Sequence, residues 1–125
     1  MAKLESVSPI SDEDIMLLPV KDLATAIAYY ESVLGFVTVT RNERSVSLRR
    51  DEAEIGLIVD GSHEPHKAES LAFLVDHLDA LHKELTDRGT KPGAFDVQEW
   101  GGNQFRTFFV REDQDGYCYC FYHPV

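Results

Sequence analysis

The chain has 125 residues, 43% of them hydrophobic, and sets 12 Lys and Arg against 22 Asp and Glu for a net charge of −10. That length gives one domain with a real core and leaves no room for two. The acidic balance argues against nucleic acid and an anionic membrane as partners, favours a cationic ligand, and comes with no apolar run near the ~20 residues of a membrane span.

In chain order, residues 1–13 are polar and acidic and read as a loosely attached N-terminal arm, without the apolar core and cleavage site of a signal peptide. Residues 14–125 read as a single domain. Ile15 to Val20 is a short apolar run, expected as a strand. Asp22 is placed to cap a helix whose buried stripe is Leu23, Ala26, Ile27, Tyr30 and Leu34, stopped by Gly35. Strands follow over Phe36–Thr40, Ser45–Arg49 and Glu54–Val59, closing a first module of about 14–60.

A polar linker over 61–68 leads to a second module of about 69–123. Its expected strand covers Ser70–Val75, and Asp76 or His77 caps a helix striped by Leu78, Leu81 and Leu85 and ended by Gly89. Strands are expected over Phe95–Gln98, Phe105–Val110 and Tyr117–Tyr122, with Trp100-Gly101-Gly102-Asn103 as a loop and Asp115-Gly116 as a turn. The two halves echo each other, L-P-V-K-D-L against F-L-V-D-H-L, and each reads β-α-β-β-β. Cys118 and Cys120 share a strand face at a spacing unsuited to a disulfide, so two free thiols point to a reducing cytoplasm.

The run L-P-V-K-D-L-x3-I-A-Y-Y-E-S-V-L-G-F resembles the first module of the vicinal oxygen chelate superfamily, which includes glyoxalase I, extradiol dioxygenases and the fosfomycin and bleomycin resistance proteins. The F-L-V-D-H-L opening, the W-G segment and F-F-V-R-E-D-Q-D-G-Y are similar to the second module, so the resemblance covers Asp14 to His123. It implies an α+β fold of two βαβββ modules forming a U-shaped mixed sheet around a cavity, usually in a homodimer. It also implies four metal-ligand positions, which fall here on Ile15, on Gly56 or a slipped Glu54, on Ser70 and on Cys120. A divalent ion needs three or four converging O, N or S donors, and this set does not supply them.

Other candidates have bland readings. His63 and His66 form H-x-x-H in a Pro-containing linker, where a surface location outweighs metal binding. His82 reads as a histidine packed at a helix edge, and His77 as a cap-region residue. Cys120 lacks any visible base that would make it a nucleophile. The sole tryptophan, Trp100, offers a stacking surface for a flat ligand.

These observations favour a metal-free, cofactor-free small-molecule binder of the bleomycin-resistance type, leaning away from an enzyme. Ile15, Leu17, Ser70, Cys118 and Cys120 are expected to line its cavity and Trp100 its rim, with no catalytic residue. The alternatives are a metal-dependent lyase or isomerase using relocated ligands such as Glu54, Cys120 and a linker histidine, and a degenerate scaffold acting through its dimer surface.

Overall fold

The structure, a computed structural model, describes residues 2–10, 14–68 and 70–125. In chain order the elements are β1 (Leu4–Pro9), β2 (Leu18–Val20), α1 (Leu23–Ser32), β3 (Val37–Arg41), β4 (Ser45–Arg50), β5 (Ala53–Val59), β6 (Ser70–Val75), α2 (Leu78–Asp87), β7 (Asp96–Trp100), β8 (Asn103–Arg111) and β9 (Cys118–Pro124). A 3-10 turn, Pro65–Lys67, interrupts the connection between the halves.

The echo in the sequence becomes a repeat in space. One sheet runs β2-β5-β4-β3, and within the other the order β6-β9-β8-β7 recurs. In both halves the strand before the helix pairs parallel with the last strand, β2 with β5 and β6 with β9. The fold is therefore α+β, built of two βαβββ modules.

The expectation of a loose arm is corrected. Residues 4–9 are strand β1, which pairs antiparallel with β6 and extends the second sheet to five strands. Ala2 and Leu4 are buried, and Asp76 accepts the Lys3 N–H at 2.6 Å. A register shift between Leu4 and Ser6 breaks the two-residue alternation that would have marked the strand. Pro9 sits at its end on a sheet edge, where a missing donor is tolerated.

The first expected strand is shorter than its apolar run, because Ile15 to Leu17 form a turn and only Leu18–Val20 pair with β5. Asp22 caps α1 as expected, its carboxylate accepting the Thr25 N–H at 3.2 Å. In α2 the cap residue is His77, and it makes no side-chain cap bond. Asp76 is occupied holding Lys3 and β1 instead.

One core joins the modules. Tyr30, Phe36, Phe73, Phe108, Tyr119 and Phe121 are buried together. Phe36 meets Phe73 edge-on across the two sheets, and Tyr30 of α1 meets Tyr119 of β9. A half-buried ion pair bolts the halves: Arg50 donates from both Nη atoms to Glu84 of α2 at 2.8 and 2.9 Å, and from Nη1 to the Leu34 carbonyl at 2.8 Å. The linker is also fastened. His63, expected on the surface, is 6% exposed, stacks on Tyr117 and hydrogen-bonds the Asp115 carbonyl through Nε2 at 2.8 Å. His66 points outward to Glu64, so the H-x-x-H pair shares no site.

Candidate functional site

Alternation along β9 decides what each sheet face can do. Tyr119 and Phe121 point into the core, so Cys118, Cys120 and Tyr122 point to the opposite face. The ladder carries that face across the sheet: Ser70 pairs with Cys118, Ala72 with Cys120, and Cys120 in turn with Phe109. At one end of this face lies an open groove of about 490 Å³. Ala72 lies at its base, β1 residues Ser8 and Pro9 with Ile10 line one side, and Trp100, Phe105 and Tyr122 line the rest.

Those three aromatics form a unit. Trp100 stacks on Phe105 with centroids 5.2 Å apart, and Tyr122 meets both edge-on at 5.6 and 5.5 Å. Trp100 is not on a loop, as expected, but is the last residue of β7, paired with Asn103. Gly101 and Gly102 form the two-residue hairpin turn with φ of 58° and 81°, the conformation a type I′ turn demands and side chains resist. The W-G-G-N sequence thus fixes the indole on a short, tight hairpin. At 37% exposure the ring keeps area free for a ligand.

The six residues expected to line a cavity do not converge on this groove. Trp100 lines it. Ser70, Cys118 and Cys120 share its sheet face but lie beyond its lining, and Cys120 is fully buried. Ile15 and Leu17 lie in the turn that leads into β2 of the other sheet; Ile15 packs against the core and Leu17 is 53% exposed. Phe105, Tyr122 and Ser8–Ile10 were not foreseen. Tyr122 carried a signal, its i+2 spacing from Cys120; the β1 residues carried none, because their strand was unrecognised.

The family's metal positions do not fit a metal here. Ile15 offers only its carbonyl, which accepts the Gly56 N–H at 2.8 Å. Gly56 has no donor, and the Met16 backbone lies where its side chain would be. Burial pushes the Cys118 thiol up despite a hydrogen bond from Ser70 and the charge of Arg111. Burial, with the neighbouring Cys118, pushes the Cys120 thiol up to about 12, so both sulfurs stay protonated at neutral pH. Among the described residues no three His, Cys, Asp or Glu side chains are placed to hold an ion.

The family model for the Glyoxalase/Bleomycin resistance protein/Dioxygenase superfamily matches residues 14–121. The chain belongs to that superfamily. No curated protein matches it in sequence. Among solved structures, a bleomycin resistance determinant encoded on the transposon Tn5 shares 21% identity at a TM-score of 0.76, over 91% of this chain and 98% of that one. A bleomycin-binding protein complexed with bleomycin shares 20% at 0.74, over 92% and 100%. A virulence protein from Salmonella typhimurium shares 23% at 0.72, over 93% and 98%. Identities this low establish the fold.

Proposed function

We propose that this superfamily member binds a flat, cationic organic molecule by stacking on Trp100, Phe105 and Tyr122, without a metal and without bond chemistry. The aromatic unit at the open groove carries the reading. A preformed apolar groove with few polar groups suits burial and stacking, and a net charge of −10 draws cations toward it. Bleomycin is the ligand of two structural neighbours, in one of them as its copper(II) complex, which supports a resistance role by sequestration.

The same reading makes the chain one half of a homodimer. Phe109 and, just past β1, Ile10 expose apolar surface beside the groove, and Leu17, just before β2, with Val37 and Val39 do so by the first sheet. A second copy seated on Ile10, beside the groove, would narrow it.

Titration of indole fluorescence with bleomycin, metal-free and copper-loaded, and with a panel of cationic aromatic compounds tests the proposal. Saturable quenching is expected for at least one compound, and in Trp100→Ala, which has no indole left to read, a weaker Kd for that compound by calorimetry. A panel that changes neither fluorescence nor melting temperature overturns the reading. So does near-stoichiometric zinc, nickel, manganese or iron in protein purified without added metal.

A further inference from the structure

A second cavity lies away from the groove, on the helix side of β9. It holds about 120 Å³, far more than the ~10–15 Å³ one water needs, and is closed on most sides. Its walls come from both modules: Tyr29 and Tyr30 of α1, Tyr117 just before β9 and Tyr119 within it, and Glu112 and Gln114 of the β8–β9 turn.

The chemistry of this wall is specific. Tyr29, Tyr30 and Tyr119 bring three rings together, with centroids 5.9 to 6.4 Å apart and faces at differing angles. Aromatic faces arranged so attract a desolvated cation, most strongly a methylated ammonium. Glu112 supplies negative charge beside them, held by the backbone N–H groups of Gln114 at 2.6 Å and Asp115 at 2.9 Å. The charges of Glu112 and Asp113 reach the phenols: Tyr29 is pushed up to about 12, chiefly by burial and then by those two carboxylates.

A third observation concerns a proton. Tyr119 donates to the Tyr30 hydroxyl at 2.8 Å, and both residues are at least 98% buried. The Tyr30 proton then has no acceptor among the described residues, although a buried unpaired donor is costly. An oxygen inside the cavity would accept it.

We propose that this cavity binds a small organic ammonium ion carrying a hydroxyl, the amino-alcohol class. The ammonium head rests on the tyrosine faces and is balanced by Glu112, and the ligand hydroxyl accepts the spare phenolic proton. The site is independent of the Trp100 groove, which lies on the other face of the same sheet.

Choline is the probe, read by the ring NMR resonances of Tyr29 and Tyr30 and by calorimetry. Choline should saturate, whereas its neutral carbon isostere, dimethylbutanol, should bind at least about tenfold more weakly. Tetramethylammonium, which lacks the hydroxyl, should fall between them. Glu112→Gln should weaken choline binding about tenfold, and Trp100→Ala should leave it unchanged. Equal binding of choline and dimethylbutanol, an unaffected Glu112→Gln variant, or choline that moves no tyrosine resonance each overturns the proposal. The last result would mark the cavity as holding water only.

Discussion

Gly56→Ala is the most discriminating single change in the fold. Gly56 is buried in mid-β5, where its N–H donates to the Ile15 carbonyl at 2.8 Å. A Cβ there would overlap the Met16 carbonyl oxygen and lie 2.7 Å from its carbonyl carbon and 2.9 Å from its Cα. Because those atoms are backbone, relief requires lifting the whole Ile15–Met16 turn. Overpacking of this kind costs about 1–3 kcal/mol. The displaced hydrogen bond adds about 1 kcal/mol. Alanine regains about 0.5–1 kcal/mol of backbone entropy in a strand. A net loss of about 1–3.5 kcal/mol remains, and at about 4 °C per kcal/mol for a domain of this size the melting point falls by about 4–14 °C. Urea unfolding with an unchanged m-value is the assay, with Gly93→Ala as control. A Cβ at Gly93 meets only the Phe109 carbonyl oxygen at 3.6 Å, so that variant should stay within about 0.5 kcal/mol of the parent. If Gly56→Ala is as stable as Gly93→Ala, the turn does not cross the sheet at this point.

Gly101→Val puts a β-branched side chain at φ 58°, costs about 1–2 kcal/mol, and should weaken ligand quenching of Trp100 without touching the indole itself. Trp100→Ala removes a stacking platform worth about 1–3 kcal/mol, so any groove ligand should lose at least about fivefold in Kd by calorimetry, while Trp100→Phe retains most of it. Arg50→Met strands Glu84 and the Leu34 carbonyl and should cost about 2–4 kcal/mol in urea unfolding; Arg50→Met combined with Glu84→Leu should recover much of that. Alkylation by iodoacetamide at pH 8 should be slow at both thiols and slowest at Cys120, since raised values leave little thiolate. The rates should climb as pH rises toward 12.

The repeat, the helices and the succession of elements within each module were legible because they rest on local signals. The stripe of Leu23, Ala26, Ile27 and Tyr30 is buried as its spacing requires, and Gly35 and Gly89 take positive φ after their helices. Two features resisted a local reading. Strand β1 is specified by its partner β6 and by Asp76, some seventy residues away, while its own sequence alternates poorly. His63 is buried only because Tyr117 and the Asp115 carbonyl meet it from the far end of the chain. Trp100 does line the groove, but its support was misread: two glycines signal a tight hairpin as readily as an open loop.

What separates the two modules functionally is what each outward sheet face carries. On the first sheet the chain covers its own last strand, with Ile15 and Met16 laid across Gly56, and no side chain can project there. On the second, the corresponding strand β9 presents Cys118, Cys120 and Tyr122, and the neighbouring hairpin brings Trp100 to meet Tyr122. A duplicated fold that kept both faces equivalent would offer two similar grooves. Among the described residues the Trp100–Phe105–Tyr122 aromatic unit lies on the second sheet, so a stacking ligand should bind this face with one groove per chain. Under the proposed function, Gly56, which offers no donor in the first module, and the Gly101-Gly102 hairpin, which fixes the indole in the second, would both favour a surface that holds a ring over a site that holds an ion.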